Sequence, residues 1–401
     1  MKRSLCFFAL ILMAIPAWPA KQITVAELTS MMKSMQQDKK SDADMANALK
    51  QVVLSEQMSR ATMNQLAEYV PGPATTEQVY VLEVRSAMLA PPAADVPSTP
   101  APDAAAQKAI LDKTADYASK MYAQLPAITA AKTTQRFQDN VEAVAPSSGM
   151  GGSAKDVSVG SSFVNPYQFV RFLNSTDATY TSEHGLEKLA VDKTPWGANS
   201  MIAIMEPDPS VATLFQEAQT NGTITWLRWQ TIAGKNVAVF SFQVPKKKSH
   251  MALNVCCFPS LNQTGDARFS GQNGAGLPGG SPGAAGGAKG NFQTNTDWHA
   301  YKQNSVGYHG EFYVDPDSGI VVRMIAIAEL KPNEVVHAQA TRIDYGPETI
   351  GGKPMILPVR TIVTTEVVPS GDSQAGKYSV RNTYLSTEYK DYQLAGATAS
   401  K

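Results

Sequence analysis

Cysteine is scarce, with three in 401 residues, and Cys6 lies inside an N-terminal stretch with the marks of a secretory signal. Only Cys256 and Cys257 remain beyond it. Two adjacent cysteines exclude the disulfide-knit scaffolds of small exported domains, so a packed core must hold the fold. Net charge is also missing: 35 Lys and Arg offset 35 Asp and Glu. That removes the electrostatic drive toward nucleic acid or anionic lipid. There are five histidines, and His250, His299, His309 and His337 are too scattered to compose a ligand set. His184, beside Glu183, reads as a solvent-facing residue at a strand end. No H-E-x-x-H occurs, nor any Cys/His pair at zinc-binding intervals. The glycine run near Gly271 lacks the G-K-S/T of a phosphate cradle, and no G-x-S-x-G elbow presents a nucleophile. Asp315-x-Asp317-x-Gly319 opens like a calcium loop, but Ala326 stands where the twelfth-position glutamate belongs. No catalytic, metal or cofactor site can be assembled by spacing, and the expectation is a non-enzymatic protein without a cofactor.

Long apolar runs are absent too. Leu5 to Ile15, behind Lys2 and Arg3, is too short for a bilayer core that needs about 20 residues. It fits residues 1–20 as a signal peptide, with Ala17 and Ala20 both offering a small residue for cleavage. The expected product is an exported, periplasmic protein that is not integral to the membrane.

What is present falls into blocks. Residues 24–89 predict a helical bundle module: Leu28, Met31, Met32 and Met35 follow helical spacing, as do Met45, Leu49, Val52 and Val53. Ser41 and Asp42 supply caps for the second helix, and Pro71-Gly72-Pro73 and Pro91-Pro92 are stops. Residues 90–103 form a Pro/Ala linker, expected to be extended and poorly ordered. Residues 104–395 predict an antiparallel domain: a helix with Ile110, Thr114, Tyr117 and Met121 on one face, then a strand at Ile128 to Gln138 and a meander. A short helix at Ser210 to Gln219 is available to cover the sheet. Residues 260–297 are glycine-dominated and predict a disordered insertion between two strands. Alternation places Trp226 and Trp229 on opposite sides of one strand, and Lys246-Lys247-Lys248 reads as a solvated turn. The clearest local signal is GYHGEFYVDPDSGIVVRMIAIAE, Gly307 to Glu329. Pro316 presets φ, and Gly319 can take the positive φ of a bulged hairpin turn.

The segments TADYASKMYAQLPAITAAKTTQRF (from Thr114), WQTIAGKNVAVFSFQVP (from Trp229), NVCCFP (from Asn254), YHGEFYVDPDSGIVVRM (from Tyr308) and IDYGPETIGGKPMILPVR (from Ile343) resemble a family of uncharacterised secreted bacterial proteins. The helical stretch AELTSMMKSMQQDKKSDADMANALKQVVLSEQMSR resembles it as well. The helix-then-meander pattern with its Y-V-D-P-x-S/T-G hairpin looks like the half-barrel of outer-membrane lipoprotein carriers. That resemblance implies an antiparallel sheet around an apolar cavity and binding of lipid or lipoprotein. Where family members often carry a cysteine after the LP of the first strand, this chain has Thr129-Ala130-Ala131, so a disulfide from that strand to Cys256 or Cys257 is not available.

The expected fold is therefore α+β, a helical bundle followed by a curved antiparallel half-barrel with covering helices. The leading functional expectation is an apolar ligand, a lipid or acyl chain, held by the faces Ala238, Phe240, Phe242, Val244 and Leu357, Val359, Val363. The alternative is an envelope interaction or structural module whose partner is another envelope protein and whose core is already filled. Cys256 and Cys257 are compatible with a strained vicinal disulfide or with one packed and one exposed thiol.

Overall fold

The structure, a computed structural model, describes residues 21–139, 170–183, 186–187, 211–259, 298–303, 305–331, 336–367 and 381–395. Residues 1–20, expected to be a signal peptide, and residues 260–297, expected to be a disordered insertion, lie outside the described residues, as does His184.

The chain opens with strand β1 (Lys21–Ile23) and helices α1 (Val25–Gln37) and α2 (Asp42–Lys50), then β2 (Val52–Leu54), α3 (Arg60–Leu66) and α4 (Pro73–Ser86). Caps set these boundaries. Thr24 forms a reciprocal capping box with Glu27, and the Ser41 and Ser59 side chains accept from the third residue of α2 and α3. Asp42 does not cap its own helix. Its carboxylate accepts from the amides of Ala74 and Thr75 at 2.9 and 2.8 Å, so α2 caps α4. Val52 and Val53 do not extend the α2 stripe. They form β2, which pairs in parallel with β1, Lys21 opposite Val52. β-branched residues favour that extended conformation.

The rest is one open antiparallel sheet. Its strands are β3 (Ile128–Asp139), β4 (Val170–Glu183), β5 (Leu186–Glu187), β6 (Thr223–Ile232), β7 (Lys235–Val244), β10 (Gly307–Val314), β11 (Val321–Glu329), β12 (Val336–Ile350), β13 (Lys353–Val367) and β14 (Arg381–Leu394). Their order is β5-β4-β3-β14-β13-β12-β11-β10-β7-β6, and the two end strands, β5 and β6, are not paired with each other among the described residues. A separate hairpin, β8 (Leu253–Pro259) with β9 (Trp298–Gln303), brackets the glycine-rich insertion.

Helices cover both faces of this sheet. On the front, α5 (Ala104–Gln124) and α6 (Val211–Asn221) bury Ile110, Leu214, Phe215 and Ala218 against Ala238, Phe240, Phe242, Phe312 and Met324. The Asp315–Gly319 turn docks on α5: Lys113 Nζ donates to the carbonyls of Pro316 and Asp317 at 3.1 and 3.2 Å. Gly319 has φ +75°, and a Cβ there would meet the Lys113 carbonyl carbon at 2.6 Å, so only glycine fits. On the back, α4 is apolar on two sides. Val79 and Leu82 face the N-terminal cluster, while Val81 and Val84 pack with Phe137 and Val170 of the sheet. A helix apolar on two sides belongs in an interior.

The linker runs between those two layers. It contains a 3-10 turn at Ala93–Asp95 and passes β6, where Trp229 Nε1 donates to the Pro100 carbonyl at 2.9 Å. It is thus a defined strap over an edge strand, not a loose tether, and a covered edge cannot recruit foreign strands.

Two ranks of directly opposed residues cross nine strands and define the faces. The front rank reads Trp226, Phe240, Phe312, Met324, Ile343, Thr361, Thr387, Thr134, Thr176. It is apolar under α5 and α6 and turns to threonine from β13 onward. The back rank reads Arg228, Val239, Tyr313, Arg323, Asp344, Arg360, Glu388, Thr133, Asp177. Trp226 and Trp229 share the front face with ring centroids 4.9 Å apart, contrary to simple alternation. The cause is a β-bulge: the register skips from Trp226 to Arg228, and the extra residue, Leu227, inverts the alternation beyond it.

Candidate functional site

Among the described residues, those expected to wall a cavity do not meet around one. Ala238, Phe240, Phe242 and Val244 are at most 3% exposed and packed beneath α6. Phe242 stacks on Phe312 with centroids 4.3 Å apart, and Phe215 of α6 meets the same ring at 5.3 Å. Leu357 belongs to a different cluster, with Leu125, Ile128, Tyr180, Tyr389 and Tyr392. Val359 is the residue skipped by the register shift between β12 and β13, and its side chain occupies the space above Gly346. Val363 lies on the front face opposite Thr341 and Leu385. The two nominated walls are thus separate, and the first is filled by the protein's own aromatic side chains.

Cys256 and Cys257 sit in the β8–β9 hairpin and not on the main sheet. Cys256 opposes Ala300, and the register shift that follows leaves Cys257 as the extra residue of a bulge.

An open groove of about 710 Å³ lies on the back of the sheet at the end of α4. Met88, Leu89, Leu227, Ile325 and Ile327 give it an apolar side. Leu89 and Leu227 are 37% and 43% exposed and line the same groove. The β6 bulge is what puts two successive residues, Leu227 and Arg228, on the back face at this groove. The polar side contains Arg228, Glu311, His309 and Glu329. Arg228 donates to Glu311 at 2.8 and 3.1 Å and to the Tyr313 hydroxyl at 3.2 Å. Burial, then the Glu311 carboxylate, pushes the Tyr313 phenol far above its ordinary range. Gln243 Nε2 donates to Glu329 at 2.8 Å, and His309 Nδ1 stands 3.5 Å from the same carboxylate oxygen.

The charged back rank continues from the groove beneath α4. Arg323 and Arg342 both pair with Asp344, the latter at 2.8 Å. Burial alone would raise the Asp344 carboxyl, but Arg323 and Arg342 hold it far below the usual carboxylate range. Arg360 grips Glu83 of α4 through both guanidinium nitrogens, at 2.5 and 2.6 Å, with side-chain exposures of 8% and 1%. Gln57 bridges the layers, donating to the Ala87 carbonyl at 2.7 Å and accepting from Arg323 at 3.2 Å. Arg60 reaches Glu388 at 2.6 Å. Residue spacing did not single out Glu83, Asp344, Arg342 or Gln57. The available signal was polar residues on the buried face of α4 (Thr75, Gln78, Glu83, Ser86) and arginines recurring in successive strands.

Among the described residues, no group of three or more His, Cys, Asp or Glu side chains is placed to hold a metal ion, and no helix is long and apolar enough to cross a membrane. The chain matches no protein-family model, no curated protein and no solved structure.

Proposed function

We propose that the chain is an exported, non-catalytic binding protein, a half-barrel with a helical bundle on its back. Its ligand, a lipid or the acyl chain of a lipoprotein, lies in the groove beside Met88–Ala90. The observation that carries this reading is the pairing of exposed Leu89 and Leu227 over an apolar floor, with hydrogen-bonding groups along the other side. A volume of about 710 Å³ falls within the roughly 300–1,000 Å³ of small-molecule sites. Aliphatic side chains would take the hydrocarbon, at about 25 cal/mol per Å² buried. Arg228 and His309 would meet a polar end.

The protein should bind a dansyl-labelled fatty acid with enhanced fluorescence. Leu89→Glu and Leu227→Glu, both at exposed positions, should weaken that binding at least tenfold without lowering the melting midpoint. No enhancement with the wild-type protein, or equal enhancement with both variants, sinks the proposal. A second reading, an interaction module for another envelope protein, is favoured by the filled core under α5 and α6. Under it the same two variants lose a protein partner while fatty acid is never bound.

A further inference from the structure

We propose that the basic turn at 246–250 is the head-group seat of the groove, and that the ligand is an amphiphile bearing a phosphate. This inference rests on the reading of the groove as an acyl-chain site and names the other end of the same ligand. Strand geometry brings the two together. Thr223, Gln243, His309 and Ile327 line the groove and stand directly opposite one another across β6, β7, β10 and β11. At a rise of about 3.3 Å per residue, Gln243 lies about 13 Å along β7 from Val239, the strand partner of Arg228. β7 ends one residue later, and Lys246 follows Pro245. A Cβ on Gly307 would stand 2.8 Å from Oε2 of Glu329, which lines the groove, and 3.1 Å from the Lys246 amide nitrogen. The turn therefore borders the end of the groove remote from Leu227.

A run of lysines is ordinarily a loose, solvated turn, but the backbone of this one is held from both sides. Lys246–Lys248 form a 3-10 turn. The Ser305 hydroxyl bonds the carbonyls of Lys246 and Ser249 at 2.9 and 3.0 Å, and Asn221 Nδ2 donates to the Lys248 carbonyl at 3.3 Å. Glu217 of α6, 7% exposed, accepts from the His250 amide at 2.7 Å, and the same oxygen lies 2.7 Å from His250 Nδ1. Its other oxygen accepts from the buried Tyr308 hydroxyl at 2.7 Å. The rest of the His250 ring is exposed. All three lysines are exposed, and none pairs with a carboxylate among the described residues. Lys331, exposed two residues beyond Glu329, adds a further cation. The turn is ordered before any ligand arrives while its ammonium groups stay free, so seating an anion there costs little ordering.

The chemistry of the turn narrows the head group. Lysine meets phosphate as a compact point charge with three donors. A phosphate monoester carries about −1.5 to −2 charges and three acceptor oxygens, enough to engage several ammonium groups at once. A neutral head engages them weakly, and a cationic head is repelled. Glu329 is the carboxylate beside the turn. It accepts from Gln243 and faces His309, and its charge would push a phosphate away from the sheet and toward the lysines. A free phosphate ion lacks the chain that Leu89, Leu227, Ile325 and Ile327 would bury.

In the test, the full chain loaded with the dansyl-labelled fatty acid is titrated with decyl phosphate, decanol and decyltrimethylammonium, each below its micelle threshold. Decyl phosphate should displace the probe at a concentration at least tenfold lower than either of the others. The triple variant Lys246→Ala/Lys247→Ala/Lys248→Ala changes only exposed positions. It should erase that preference while decanol displaces the probe as before. Raising salt from about 0.1 to about 1 M, which shortens the Debye length from about 10 to about 3 Å, should shrink the preference in the wild type. Inorganic phosphate alone should displace nothing, and displacement by it would overturn the assignment of head and chain to one ligand. Equal potency of the three decyl compounds, or a preference that survives in the triple variant, overturns the inference and leaves the groove reading intact. Failure of the dansyl probe to bind at all is a separate result, which sinks the groove reading and this inference with it.

Discussion

The Glu83–Arg360 pair is the strongest single tie between the helical segment and the sheet, and it can be tested directly. Its two side chains are 1% and 8% exposed and bonded twice, and Arg360 also donates to Ser386 at 3.0 Å. Removing one partner leaves the other charged and dry. Breaking such a pair costs about 3–5 kcal/mol, whereas replacing both partners by apolar groups of similar volume is often neutral or better. Glu83→Leu and Arg360→Met should each destabilise by about that amount. With a urea m-value near the upper end of about 1–3 kcal/mol/M, the midpoint falls by roughly 1–2 M. The double variant Glu83→Leu/Arg360→Met should recover most of the loss, giving a coupling of several kcal/mol in a double-mutant cycle. Circular dichroism and tryptophan fluorescence should report one transition throughout, since the pair binds helix to strand. Single variants that cost under about 1 kcal/mol, or a double variant as poor as the sum of the singles, would refute the reasoning.

Acid should act through Asp344. Its folded-state value is depressed by Arg323 and Arg342, so its stabilisation is complete above the ordinary aspartate value of about 4 and lost as pH falls through the folded value. The urea midpoint should hold from pH 7 to pH 5 and drop below about pH 4, and Asp344→Asn should lower the plateau while flattening that drop. Gly310→Ala should be severely destabilising, because a Cβ there collides with the Ile325 carbonyl and meets the Phe242 ring at 2.9 Å. Gly234→Ala, at φ +78° with nothing within 4 Å, should cost only about 1–2 kcal/mol, the left-handed penalty alone. Similar melting midpoints for the two alanine variants would contradict the packing of β10 between β7 and β11.

Much of the fold could be read locally. The Asp315–Gly319 turn, the α5 stripe of Ile110 and Thr114, and the strand starting at Ile128 follow from short-range rules of φ, spacing and alternation. The failures came where one extra residue or one distant partner decides. Leu227 carries no mark of a bulge in the sequence, yet it moves Trp229 to the opposite face. Val52 and Val53 continue a helical spacing, and only pairing with Lys21–Ile23 draws them into a strand. Arg360 alternates with Val359 and so reads as solvent-facing. It is buried because α4, some 277 residues away in sequence, brings Glu83 to it. The cavity walls were misread for a related reason: alternation tells which side chains share a face but not what the face packs against.

The order of layers explains why the chain carries a Pro/Ala strap between its two halves. α4 lies on the back of the sheet and α5 on the front, so the connection must pass around an edge, and β6 is the edge it passes. A flexible tether would let the halves separate. Prolines fix φ and shorten the set of paths available, which lowers the entropy lost on docking. The Trp229–Pro100 hydrogen bond then pins the strap where it crosses the edge. The Arg360–Glu83 pair makes the arrangement specific, because these two buried charges are matched only when α4 sits in one register over the sheet. The helical segment and the sheet therefore form one structural unit, and the groove at Met88–Ala90 exists only while they are docked. Pro100→Gly, which frees the strap, should weaken fatty-acid binding in the groove without touching any residue that lines it. Unchanged binding in that variant would separate the strap from the site.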